Sequence, residues 1–176
     1  DDGKGWRKVE SGTGQRLLAV AMNRAGLAVA VGGFGAVLLS RDRGESWEPV
    51  AFDWQALVED FAEPHLYDVA VAEDGAITLV GEFELVMRSP DGGASWVRVH
   101  KGEASLFGLH MGASGIGYAV GQEGRILRSA DGGESWSVLD TGVDAPLLGV
   151  SAADDGRVLV SGMRTMLEGS AGGATW

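Results

Sequence analysis

The sequence predicts an all-β chain, a β-propeller of four-stranded antiparallel blades with four repeats present. Three observations predict it. One eight-residue motif recurs at near-constant spacing. Four short apolar runs fill each interval, and turn-forming residues separate the runs.

The motif is clearest at Ser129-Ala-Asp131-Gly-Gly133-Glu-Ser135-Trp136. Ser89 to Trp96 and Ser40 to Trp47 repeat it, Gly169 to Trp176 is a worn copy, and Asp1 to Trp6 is a clipped one. Asp and Gly favour a turn, because the carboxylate accepts backbone N–H groups two or three residues on and Gly tolerates positive φ. The hydroxyl residues tie the two ends of the turn, and the Trp opens the next strand with a large apolar surface. The octet therefore reads as a staple between antiparallel strands. Calcium ligands would have to converge on one centre, whereas these acids come one per repeat.

The motif tryptophans, at 6, 47, 96, 136 and 176, are separated by 41, 49, 40 and 40 residues. Such a period fits a propeller blade or a helical repeat. The runs inside it decide for strands. The first runs are Leu17–Met22, Leu66–Val71, Leu106–Met111 and Leu147–Ala152. They are apolar almost throughout, as expected of an inner strand covered on both faces. Their third position is small at Ala19, Gly108 and Gly149, which suits crowding near an axis, and acidic at Asp68. Second runs follow at Leu27–Val31, Ala76–Val80, Gly115–Val120 and Arg157–Val160; third runs at Ala36–Leu39, Leu85–Arg88, Arg125–Arg128 and Thr165–Glu168. The octet then leads to the fourth run, as in Trp136–Leu139. In such a meander the octets lie at one end of the blade. The turns between second and third strands lie at the other, with the inter-blade connections.

The whole chain, 1–176, reads as one propeller region. Its repeats span approximately 10–50, 51–99, 100–139 and 140–176, with 1–9 the outer strand of an adjoining blade. Both termini cut through a motif, so part of a larger propeller is expected; a small closed ring of four blades is the alternative. The 49-residue interval contains an insertion at about Ala51 to His65. Asp53 suits a helix cap and Pro64 a stop. Trp54, Leu57, Val58 and Phe61 then share one apolar face.

Composition limits the function. Acids outnumber bases 25 to 14, for a net charge of −11, which argues against nucleic acid and against an anionic membrane surface. No apolar run is long enough to span a membrane. Cys is absent, so disulfides and thiolate metal sites are excluded. His65, His100 and His110 are isolated from one another, and no phosphate loop is present. No catalytic, cofactor-binding or metal-binding residue is assigned.

The octet resembles the Asp-box of the bacterial-neuraminidase-repeat superfamily. The longer pattern, Val120-Gly-x-x-Gly124-x-Ile126-Leu-x-Ser129-x-Asp131-Gly-Gly133-x-Ser135-Trp136, is closest to the photosystem II stability and assembly factors and their bacterial relatives. That resemblance covers essentially the whole chain. It implies a seven-bladed propeller, exported to a lumen, a periplasm or the outside, that acts by binding proteins and uses no cofactor. In photosynthetic members an Arg-rich patch is linked to binding the nascent reaction centre, whereas this chain is acidic. The function expected is therefore a non-catalytic protein-binding scaffold. The candidate contacts are Phe34, Phe83 and Met163, taken as corresponding turn positions, with Trp54 and Phe61 of the insertion.

The alternative is a sialidase-like glycoside hydrolase, since sialidases share the Asp-box. That chemistry needs a Tyr nucleophile helped by a carboxylate, an acid/base carboxylate and an Arg cluster. Tyr67 beside Asp68 is the one pairing of interest; Tyr118 lies mid-strand, and Arg88 and Arg128 precede octets at the far end.

Overall fold

A computed structural model describes residues 5–58, 63–170 and 176. The first blade is β1 (Leu17–Met22), β2 (Ala28–Gly32), β3 (Val37–Ser40) and β4 (Glu48–Pro49). A short helix, α1 (Trp54–Val58), precedes the second blade, β5 (Leu66–Val71), β6 (Ile77–Gly81), β7 (Val86–Ser89) and β8 (Val97–His100). The third is β9 (Leu106–Met111), β10 (Gly117–Gly121), β11 (Ile126–Ser129) and β12 (Ser137–Leu139). The fourth has three strands among the described residues, β13 (Leu147–Ala152), β14 (Val158–Gly162) and β15 (Thr165–Gly169). Each sheet is an antiparallel meander in chain order, and the first strands of successive blades are neighbours. The expected propeller architecture is present as an arc of four blades. Residues 5–9, the described part of the expected outer strand, form no strand.

Cores lie between blades, not within them. Val29, Val31, Val37 and Leu39 of the first blade pack on Leu66, Val69, Ile77 and Leu79 of the second. Val80 and Val86 pack on Leu106, Ala119 and Leu127; Tyr118, Val120 and Ile126 pack on Leu147, Val158 and Val160. The first strands are not the most enclosed, contrary to expectation. β2, β6 and β10 are buried along their whole length, whereas β1, β5, β9 and β13 are partly exposed. A second strand has a hydrogen-bonded neighbour on each edge, whereas a first strand has one edge open on the axis side.

The octets are stapled as their chemistry predicts. Ser129 Oγ donates to Asp131 Oδ1 (2.8 Å) and accepts the Gly133 N–H (2.9 Å). Asp131 accepts the Ser135 N–H (3.0 Å) and hydroxyl (2.5 Å). The Asp reach is four residues, longer than the two or three that the motif suggests. The octets at 40–47 and 89–96 repeat this set. Trp96 and Trp136 each donate Nε1–H to the second motif glycine's carbonyl, Gly93 or Gly133 (3.2 Å). Bonds from Arg43 N–H to Gly26 O and from Gly132 N–H to Gly115 O place the octets beside the turns between first and second strands.

Candidate partner-binding face

The opposite end of the arc is formed by the turns between second and third strands. In three blades five residues link the paired ends, Val31 to Val37, Val80 to Val86 and Val120 to Ile126. Bonds from Ala36 N–H to Gly33 O, Leu85 N–H to Glu82 O and Arg125 N–H to Gln122 O close them. Both central residues are left-handed: Phe34 and Gly35, Phe83 and Glu84, Glu123 and Gly124. That is the type I′ pattern, which favours Asn and Gly. A bulky Phe at positive φ costs on the order of 1–2 kcal/mol, and such outliers cluster at functional sites.

The residue before each central pair docks the incoming connection. Gly33, Glu82, Gln122 and Met163 donate backbone N–H to the carbonyls of Arg16, His65, Ser105 and Pro146, at 2.9–3.0 Å. The Glu82 and Gln122 side chains reach back to accept the His65 N–H (2.7 Å) and Ser105 N–H (2.9 Å). Every first strand thus starts at this end, where each is also bulged. Pairing skips Leu18, Tyr67, Phe107 and Leu148 in β1, β5, β9 and β13. Bulges re-aim side chains and are common at the rims of sheets next to functional sites.

The bulges and the Phe34 turn assemble a stripe of rings. Phe34 lies 5.1 Å from His65, His65 stacks on Tyr67 at 6.4 Å, and Tyr67 meets Phe107 edge-on at 5.2 Å, all between centroids. The imidazole lies over Gly33, where a β-carbon would come within 3.6 Å of it. Exposed Leu18 and Leu148 are the corresponding bulge residues of the first and fourth blades. Glu82 pins the stripe, with Oε2 3.2 Å from His65 Nδ1 and Oε1 3.5 Å from the Tyr67 hydroxyl. Burial and the Glu82 charge push the Tyr67 phenol above its ordinary value.

The five residues expected to meet a partner divide. Phe34 and Met163 are exposed at this end. Met163 is not the counterpart of Phe34 and Phe83, because the fourth turn has four linking residues, not five, between Ser161 and Met166. Met163 instead takes the docking place of Gly33 and Glu82. Phe83 is half-buried against the first junction. Trp54 is buried, so it is not a surface contact. Its ring sits where a β-carbon on Gly35 would fall, 4.6 Å from Phe52, and Asp53 caps α1 through the Ala56 N–H (3.1 Å). Phe61 lies outside the described residues. Sequence reasoning missed His65 and Phe107 as site residues. The signal for Phe107, a large apolar residue beside Tyr67 in the aligned first strands, was present.

Among the described residues a glycosidase arrangement is not assembled. Asp68 faces away from the phenol: its oxygens accept the Val69 N–H (2.8 Å) and, across the junction, the Leu109 N–H (2.8 Å). Burial still raises its carboxyl above the usual range. The carboxylate that meets the Tyr67 hydroxyl is Glu82, and it makes the phenol harder to ionise, the wrong direction for a nucleophile. Arg88 is at the far end, donating Nε–H to Gly132 O of the next blade (2.9 Å).

The class defined by this architecture is a β-propeller of four-stranded blades that presents one aromatic end. Among solved structures, YCF48 from Cyanidioschyzon merolae superposes with a TM-score of 0.73 at 24% identity, over 97% of this chain and 58% of that one. YCF48 bound to D1 peptide gives 0.73 at 20% identity, over 96% and 55%. An ancestral GH74 enzyme gives 0.74 at 17% identity, over 97% and 25%. The chain therefore spans a little over half the length of the YCF48 structures, and the likeness is one of fold. No family model matches it, and no curated protein matches it in sequence.

Proposed function

We propose that the chain is a non-catalytic protein-binding scaffold, an assembly or stability factor in the manner of the photosystem II assembly factors. Its partner docks as a peptide segment across the stripe from Phe34 to Phe107. The observation that carries this reading is the stripe itself. Repeated bulges deliver it, strain at Phe34 accompanies it, and its rings stand outside the buried clusters between blades. The YCF48 structure with D1 peptide supports a peptide ligand on this fold. The reading includes an exported location, checked by fractionating cells that express the tagged natural protein.

The test is selection of peptides from a displayed random library on the immobilised chain, followed by titration of the selected peptides. Aromatic anchors at interfaces are each worth about 2 kcal/mol or more. Phe34→Ala and Tyr67→Ala should each weaken binding at least about tenfold. Peptides that bind both variants as well as the parent would refute this placement. A second reading, a glycoside hydrolase, has only the proximity of Glu82 to the Tyr67 hydroxyl in its favour, against the raised phenol. Hydrolysis of an aryl glycoside, abolished by Tyr67→Phe, would establish it.

A further inference from the structure

Glu82 carries a negative charge that its structural task does not need. Its carboxylate accepts the His65 N–H at 2.7 Å, and Gln122 makes the same bond to the Ser105 N–H at 2.9 Å with a neutral amide. Gly33 and Met163 hold the corresponding place in the first and fourth blades with no charge at all. The neighbouring acid, Glu84, is answered within the fold: it is buried, with Arg125 Nε 3.0 Å and His100 Nε2 3.6 Å from its Oε1. Among the described residues Glu82 pairs with the His65 imidazole, at 3.2 Å, and with no arginine or lysine. Its side chain is 33% exposed, and Oε1 accepts the Tyr67 hydroxyl at 3.5 Å, the outer limit of such a bond. That oxygen therefore keeps lone-pair capacity for a donor from outside.

The charge stands among rings. Phe34 is exposed, and His65, Tyr67 and Phe107 are half-buried, so each offers part of its ring to solvent. Aromatic faces are negative and attract a cation, most of all beside a carboxylate that lacks one. The surroundings have the same sign. On the turns and connections of this end Glu63, Glu103, Glu123 and Asp144 are exposed. Of the described cations there, Arg16 and Arg164 belong to the outer blades, Lys101 is half-buried and Arg125 is held by Glu84. The net charge of −11 draws basic partners towards the chain. We infer that the segment docked on the stripe presents a basic side chain, best an arginine, over the Tyr67 and Phe107 rings with its head group on Glu82 Oε1. This rests on the peptide-docking reading above and adds the chemistry of the ligand. A planar guanidinium stacks on a ring while its N–H fork meets a carboxylate; a lysine brings the charge without the fork. An acidic segment meets like charge.

The experiment uses the peptides selected on the immobilised chain. They should carry an arginine, or less often a lysine, at one shared position. Each is then resynthesised with its neutral counterpart there, citrulline for arginine or acetyl-lysine for lysine. Titration should show the basic form binding the parent about tenfold tighter or more. Glu82→Gln, which can keep the bond to the His65 N–H as Gln122 does to Ser105, should abolish most of that ratio. It should leave the neutral form within about twofold, a pattern that mere loss of structure would not give. Raising salt from about 50 to about 500 mM should weaken the basic form alone. Peptides that lose affinity in Phe34→Ala and Tyr67→Ala, yet lack a basic residue or ignore Glu82→Gln, would overturn this inference and leave the docking face standing. A library that yields no binder would remove the docking reading and this inference together.

Discussion

Removing the Ser129 hydroxyl isolates the octet's central hydrogen bond. Ser129 is buried, and its Oγ is the acceptor for the Gly133 N–H at 2.9 Å, itself in a buried glycine. Gly133 is enclosed, with Thr78 of the preceding blade against it. Ser129→Ala therefore leaves a buried donor unmatched, at a cost of about 1–3 kcal/mol. For a domain of this size that lowers the thermal midpoint by about 2–12 °C. Differential scanning calorimetry and urea denaturation would measure it. Ser135→Ala, which removes an exposed hydroxyl from the same turn, should cost a small fraction of that. A Ser129→Ala midpoint within about 1 °C of the parent would refute the reasoning.

Two further predictions concern titration. The Asp42, Asp91 and Asp131 carboxyls are held down to about 2, from an ordinary 3.8, first by the hydroxyl of the later motif serine and then by its N–H. Because the folded values lie below the unfolded one, the stability they contribute is present above about pH 4 and is lost as pH falls towards 2. An acid melting series should show that loss, and replacing all three with Asn should remove it. Separately, Glu82→Gln should lower the Tyr67 titration midpoint without bringing it to 10.0, since burial, the larger cause, remains. Ultraviolet difference absorbance on a Tyr118→Phe background reads this directly; an unmoved midpoint would exclude the Glu82 contact.

The arc was legible because its determinants are local and repeated. All four first strands, Leu17–Met22, Leu66–Val71, Leu106–Met111 and Leu147–Ala152, have the bounds their apolar runs indicate. The octets fold on their own side chains, so their turns could be read from seven or eight residues. The face was less legible. A bulge adds one residue to a largely apolar strand, and no alternation marks the extra position, so Tyr67 read as an ordinary inner-strand residue paired with Asp68. An amphipathic segment shows that Trp54 needs an apolar surface, not whether that surface belongs to the same chain. The Asp68 partner is a backbone N–H forty-one residues away, invisible to any motif. At Met163 the fault was alignment: a turn one residue short displaces every equivalence drawn across it.

The off-ladder residue in each first strand separates two demands usually placed on the same side chains. Leu18, Tyr67, Phe107 and Leu148 match no partner across their sheets, so exchanging them leaves pairing untouched. Specificity can then drift by substitution at four replaceable studs while the frame beneath keeps its shape. On the proposed reading, chains sharing this frame would differ in ligand through those studs.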